Sequence, residues 1–253
     1  MQNHDHVPGE PCWATLATAD PEAAVPFYQR LLGWNATWAE GAADMSLDAK
    51  PVARIAPAAD GASGWLTHIA VDDVERSVDR AVGAGGSALL TPTTDGDSQI
   101  AGAVLTDPAG VRFAIRQPPE RRTSSRAGQP GTLAWGELIT DDVAASAAFY
   151  RAVFGWTLTE PEGPLQRRQW QLAGRSIAGL LPRPPAMPVE IPPYWDIYFA
   201  VRDTAASAAI ATTNGATQLM AATPIEIGTI AVFADPLGAV FTLVQLTDQE
   251  PTT

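Results

Sequence analysis

Apolar positions along this chain follow two rhythms. Val25, Tyr28, Leu31 and Leu32 fall on one helical face, and Val74, Val78, Ala81 and Val82 do the same, which is the spacing of an amphipathic helix. Elsewhere the apolar residues come in short β-like runs separated by turn residues. Residues 100–106, then Asp107-Pro108-Ala109-Gly110, then 111–117 read as a hairpin, and 229–234, Asp235-Pro236-Leu237-Gly238 and 239–246 read as a second. Helix starts are marked as well. Asp20, Asp73, Asp142 and Asp203 each follow a β-like run, and an aspartate there accepts the free amide hydrogens of a first helical turn. Pro21 sits at the first helical position, where proline is tolerated. Gly33, Gly85, Gly155 and Gly215 follow the caps by 13, 12, 13 and 12 residues, three turns and a C-cap glycine.

The same marks expose a tandem repeat. Asp20, Phe27-Tyr28 and Gly33-Trp34 recur 122 residues later as Asp142, Phe149-Tyr150 and Gly155-Trp156. Trp65 and Val71 to Asp73 recur after 130 residues as Trp195 and Val201 to Asp203, and the Asp-Pro-x-Gly turn recurs after 128. Each half splits again into two quarters, each one strand, one helix and about three strands. The predicted fold class is α+β, four βαβββ units forming two half-open barrels. The halves are expected at 11–118 and 132–247, joined by a linker at 119–131 rich in Pro, Arg, Ser and Gly. A second proline-rich stretch, 182–193, reads as a stiff crossover inside the second half.

Composition narrows the function. The 253 residues are 46% apolar and 17% charged, a globular balance. A net charge of −12 disfavours nucleic acid and anionic membrane surfaces as partners. A single cysteine, Cys12, leaves no internal disulfide and no multi-cysteine metal site. No apolar run reaches membrane-helix length. The first six residues lack the basic-then-apolar order of a signal peptide, so a cytoplasmic location is expected. No phosphate-binding glycine loop and no Gly-x-Ser-x-Gly elbow occurs, so no nucleotide cofactor is expected.

Four Asp-capped βαβββ units, a Phe-Tyr…Leu-Gly-Trp helix ending at 27–34 and Asp-Pro-x-Gly hairpins resemble the vicinal oxygen chelate superfamily. This is the glyoxalase, bleomycin-resistance and extradiol dioxygenase group, and the chain is most similar to its tandem two-barrel branch. The resemblance covers about residues 11–118 and 132–247. It implies half-open barrels whose concave side holds a ligand. In metal-dependent members, ligands stand on the first strand of a unit, seven residues before the capping Asp, and on the last strand, seven after the Asp of Asp-Pro-x-Gly. Here those seats hold Trp13, Leu66, Trp135 and Asp196, then Ala114 and Thr242. The last strands expected at 51–59 and 174–183 contain no Asp or Glu. No catalytic metal and no cofactor are expected. His4 and His6, at the chain end, are expected to do nothing.

Strand side chains alternate between faces, so residues two beyond a ligand seat should share its cavity. The first barrel should then present Trp13, Thr15, His68, Arg112 and Arg116 as ligand-binding residues. The second should present Trp135, Glu137, Asp196, Tyr198 and Thr242, with Trp170 and Tyr194 as wall residues. Glu137 and Asp196 are the candidate general acid and base, and Tyr198 the candidate donor to a developing oxyanion. Trp34 and Trp156 read as core, and Cys12 as a small buried residue and not a nucleophile. Two functions fit. One is a metal-independent enzyme, of isomerase, lyase, hydratase or cyclase type, acting on a carbonyl-bearing or aromatic metabolite, as in secondary metabolism. The other is a non-catalytic protein that sequesters an aromatic natural product in the manner of bleomycin resistance. Tandem barrels supply in one chain what single-barrel relatives gain by dimerising, so a monomer is expected.

Overall fold

A computed structural model describes residues 7–58, 64–95, 100–117, 128–225 and 227–247. His4, His6 and most of the expected linker lie outside the described residues. The elements run β1 (Pro11–Thr18), α1 (Pro21–Leu32), β2 (Asn35–Ala39), β3 (Ala42–Leu47), β4 (Lys50–Pro57), β5 (Gly64–Ala70), α2 (Val74–Gly83), β6 (Ser87–Asp95), β7 (Ile100–Thr106) and β8 (Arg112–Arg116). They continue with β9 (Leu133–Thr140), α3 (Val143–Phe154), β10 (Thr157–Leu158), β11 (Arg168–Leu172), β12 (Arg175–Pro182), β13 (Tyr194–Ala200), α4 (Thr204–Thr213), β14 (Thr217–Ile225), β15 (Gly228–Ala234) and β16 (Val240–Leu246). This is βαβββ four times over. Two eight-stranded mixed sheets result, ordered β2-β3-β4-β1-β5-β8-β7-β6 and β10-β11-β12-β9-β13-β16-β15-β14. Among the described residues no helix is long and apolar enough to cross a membrane.

The helix signals translate directly into geometry. Asp20, Asp73, Asp142 and Asp203 each accept the backbone N–H three residues on, at 2.9 Å in every case. Gly33 and Gly155 cap α1 and α3 in the left-handed conformation. The other two helices stop one residue sooner than expected: Ala84 and Asn214 are the caps, and Gly85 and Gly215 follow with φ of 91° and 94°. The reason is a doubly bonded ending, with Gly86 N–H on Ala81 O and Ala216 N–H on Ala211 O, which places the left-handed residue beyond the cap.

The chain divides into two compact units that do not follow the two halves: Met1–Trp13, Leu66–Ser125 and Gly136–Asp196 form one, and Ala14–Trp65, Arg126–Trp135 and Ile197–Thr253 the other. The first unit draws on the second and third quarters. There α2 packs with α3 over a core that includes Ile69, Leu105, Phe113, Phe149, Tyr150, Trp156, Trp170 and Trp195. The other unit draws on the first and fourth quarters. There α1 packs with α4 over Leu16, Phe27, Tyr28, Trp34, Trp65, Phe199, Phe233 and Phe241. Strand pairing thus joins the first quarter to the second and the third to the fourth, while one apolar core joins the second to the third and the other the first to the fourth.

The motifs that recur along the chain are the heart of these cores. In one unit Tyr28 lies edge-on to Trp65 at 5.2 Å and near-parallel to Trp34 at 5.9 Å. In the other, Tyr150 lies edge-on to Trp195 at 5.7 Å and stacked on Trp156 at 5.3 Å. Each indole finds a partner. Trp65 Nε1 donates to the Tyr28 hydroxyl and Trp195 Nε1 to the Tyr150 hydroxyl. Trp34 Nε1 donates to Gly131 O, and Trp156 Nε1 to Gly9 O. Trp34 and Trp156 are therefore core residues whose polar edges are satisfied by backbone.

Candidate functional site

Strand alternation decides what each sheet shows on the face away from its helices. On β13, Trp195, Ile197 and Phe199 enter the cores, so Tyr194, Asp196 and Tyr198 take the other face. On β9, Leu138 enters the core and Glu137 takes the opposite side. On β8, Phe113 and Ile115 are core, leaving Arg112, Ala114 and Arg116 on the far face.

In the unit that contains Gly136–Asp196, Glu137, Asp196, Tyr194 and Arg167 come together. Glu137 is 3% exposed, and so is Asp196. Arg167 grips Glu137 with two nitrogens: Nε lies 2.9 Å from Oε1 and Nη2 donates to Oε2 at 3.3 Å. The Nε contact is ionic without hydrogen-bond geometry, and the Nη2 hydrogen bond orients the carboxylate. Arg167 is positioned by backbone, since it exchanges both hydrogen bonds with Glu162 across a tight turn. Tyr194 is half-buried. Burial pushes its phenol up, the carboxylates of Asp196 and then Glu137 push it further, and Arg183 opposes them. Tyr194 therefore keeps its proton at physiological pH and can donate a hydrogen bond to an anion. Arg183 itself is paired with Asp141.

Tyr198 and Thr242 belong to the other unit. They are register partners across β13 and β16, and both are buried. Tyr198 packs with Ile230 and Val244, and the half-buried Trp135 leans on that cluster. Thr15, half-buried on β1, stands opposite Arg54 of β4. Trp170 requires a correction. It is fully buried, 5.3 Å from Tyr150 and 5.4 Å from Trp156, so it is a packing residue and not a wall of a cavity. Trp170 shares a strand face with Leu172, which also packs on the core; that alternation is the signal that assigns it.

The first half holds a second polar group, inside the unit that contains Trp13 and Leu66–Ser125. The Arg116 guanidinium lies 5.0 Å from the centre of the Trp13 ring, a cation–π distance. His68 stands opposite Ala114, on the strand beside Arg116. Both of its ring nitrogens are buried with no hydrogen-bond partner among the described residues. Burial, then the Arg116 charge, pushes His68 down to about 3, so its imidazole is neutral. Cys12, also buried, has its thiol pushed up to about 12 by burial against the pull of Arg116, which makes it inert as a nucleophile.

Among the described residues no three His, Cys, Asp or Glu side chains are grouped as the donors of a zinc-type site are, so the donor set there does not fit such an ion. Asp196 is the sole acid at the six family seats, and Leu66 and Ala114 are buried apolar residues.

Sequence comparison agrees with this architecture. The glyoxalase-like domain family matches residues 13–116, and the bleomycin resistance protein-like N-terminal family matches 132–164. A putative glyoxylase, CFP32, of Mycobacterium tuberculosis is 35% identical over 96% of this chain and 97% of its own. The anthracycline biosynthesis protein DnrV of Streptomyces peucetius is 29% identical over 96% of both chains. Among solved structures, a Mn(II)-bound glyoxalase from Novosphingobium aromaticivorans superposes with a TM-score of 0.65 at 16% identity, over 95% of this chain and 85% of that one. The 2,3-dioxygenase LapB from Pseudomonas sp. KL28 gives 0.65 at 15% identity, over 97% of both. With two sheets of paired βαβββ units, a full-length relative at 35% identity and these fold neighbours, the chain belongs to the vicinal oxygen chelate superfamily.

Proposed function

We propose that the protein is a metal-independent proton-transfer enzyme acting on a carbonyl-bearing aromatic metabolite. One observation carries this reading: two buried carboxylates, Asp196 and the Arg167-paired Glu137, both act on one phenol, Tyr194, that keeps its proton. Glu137, held by Arg167, orients a polar edge of the substrate. Asp196 is the base. It takes a proton from a carbon next to the carbonyl, and the freed electron pair moves onto the carbonyl oxygen as an enolate. Tyr194 steadies that oxyanion by donating a hydrogen bond. Asp196 then returns the proton at a different atom, which gives an isomerisation; where the enolate carbon instead adds to a second carbonyl of the same substrate, Asp196 gives the proton to the alkoxide so formed, which completes a cyclisation. The relative named for anthracycline biosynthesis supports a flat, carbonyl-rich polycyclic substrate.

The test is deuterium incorporation from D2O into anthrone, a polycyclic ketone with an acidic carbon, followed by mass spectrometry with EDTA present. The protein should accelerate exchange. Asp196→Asn should slow it by about 100-fold or more while retaining affinity for anthrone, measured by tryptophan quenching. Unchanged exchange in Asp196→Asn overturns the assignment. The second reading, sequestration of an aromatic natural product, is favoured by the bleomycin resistance protein-like match at 132–164. Tight binding with no acceleration of exchange by the unsubstituted protein would select it.

A further inference from the structure

We infer that the first half carries a second small-molecule site, in which His68, Arg116 and Trp13 take the anionic edge of a flat aromatic acid. The site lies on other residues than Asp196 and Tyr194, so it stands or falls independently of the reaction proposed there.

The reasoning begins with His68. A neutral imidazole has one N–H donor and one bare nitrogen acceptor. Among the described residues neither finds a partner, and a buried polar atom left unmade costs about 1–3 kcal/mol. Other buried side chains of the unit, such as Trp170 and Asp107, leave one polar atom without a hydrogen bond, whereas His68 leaves both of its nitrogens. An imidazole unpartnered at both positions marks a place where a partner can come from outside. Its surroundings state what kind of partner. The guanidinium of Arg116 lies close enough to act on both His68 and Cys12, so the local field favours an anion. Arg116 is held flat over Trp13, and both are half-buried, so a planar ligand meets a rigid aromatic wall next to the charge. Access to the imidazole takes side-chain rotation of half-buried neighbours, a common response to a ligand. A carboxylate or phenolate oxygen accepts from the imidazole N–H and from the guanidinium, while the ring lies along Trp13.

The probe is 2-naphthoate, with naphthalene-2-carboxamide as its uncharged counterpart. Binding is read by calorimetry and by the 15N resonances of the His68 ring. The chain has three histidines, and His68→Gln assigns the signals. The expected result is saturable 2-naphthoate binding that shifts both His68 nitrogens. Affinity should fall by about tenfold or more in Arg116→Leu and in His68→Gln, and for the amide with unsubstituted protein. Asp196→Asn should leave this binding unchanged. Naphthoate binding that leaves the His68 resonances in place, or equal affinity for acid and amide, overturns the inference. The amide comparison uses no variant, so misfolding of a substituted chain cannot decide it.

Discussion

The Tyr28 hydroxyl donates to Asp235 Oδ2 at 2.9 Å across 207 positions of sequence. It also accepts from Trp65 Nε1 at 3.0 Å, and Asp235 Oδ1 accepts the backbone N–H groups of Leu237 and Ala239. A helix of the first quarter is thereby tied to the hairpin turn of the fourth. Tyr150 and Trp195 repeat half of the arrangement in the other unit: the indole donates to the hydroxyl, and Asp107 acts on the phenol while its Oδ2 has no hydrogen-bond partner among the described residues. Tyr28→Phe keeps the ring and strands two buried polar groups at once. It should cost about 2–3 kcal/mol in urea unfolding, and Tyr150→Phe, which strands the Trp195 indole, about 1–2 kcal/mol. A cost below about 0.5 kcal/mol for both would mean that the relays are ornaments of a core held by its rings.

Gly131 closes the expected linker under comparable constraint. Its φ is 85°, and a Cβ there would lie 2.7 Å from Leu32 O, a backbone atom that cannot turn aside. Its own carbonyl accepts Trp34 Nε1 at 2.6 Å. Gly131→Ala should therefore destabilise by about 2 kcal/mol or more, while Gly163→Ala, with open space around the added carbon, should cost only its left-handed strain of about 1 kcal/mol. Thermal unfolding of the two variants ranks them.

Element order was legible because punctuation recurs: four aspartates cap four helices, and two Asp-Pro-x-Gly turns close two hairpins. What the repeat means was harder to read. Phe27-Tyr28, Gly33-Trp34, Trp65 and Asp235 are legible as a recurring signature, but their convergence on one packed cluster is not, because partners 207 residues apart leave no local pattern. Glu137 and Asp196 could be placed on one face by alternation alone. Arg167 could not, since it arrives from a turn whose reach is set by the Glu162 pairing and not by any period. Trp170 shows the limit of resemblance over pattern: its polar neighbours Gln169 and Gln171 already put it on the core side.

Arg167 is partly exposed and Glu137 is not, so the two ends of their ion pair respond differently to removal. Arg167→Leu leaves a buried carboxylate without its guanidinium and should destabilise by about 2–3 kcal/mol. The double variant Arg167→Leu with Glu137→Leu should recover most of that loss, because two apolar groups no longer need each other. A double variant as unstable as the single one would show that Glu137 is held by other contacts.

Cys12 offers a probe of the same unit that needs no substitution. With its thiol at about 12 and its side chain buried, almost no thiolate exists at pH 8. Iodoacetamide should label it at least about 100-fold more slowly in the folded protein than in urea. Labelling at the rate of a free thiol would show that the strand carrying Cys12 opens readily.

His68 predicts a specific acid sensitivity. The unfolded chain takes up a proton on this imidazole as pH falls through 6.5, whereas the folded chain resists until about 3. Between those values the unfolded state binds more protons, so stability linked to His68 is complete above pH 6.5 and is lost progressively toward pH 3. The loss is on the order of 4 kcal/mol. Carboxylates also titrate in this window, so the comparison must be with His68→Leu, which shares every one of them. From pH 7 to pH 4 the variant's urea midpoint should fall distinctly less than that of the unsubstituted protein. Parallel falls would place the imidazole in contact with water or with an acid in the folded state. Adding 2-naphthoate at pH 7 should raise the midpoint of the unsubstituted chain and leave that of His68→Leu nearly where it was, which links the acid sensitivity of the fold to the ligand that its unpartnered imidazole calls for.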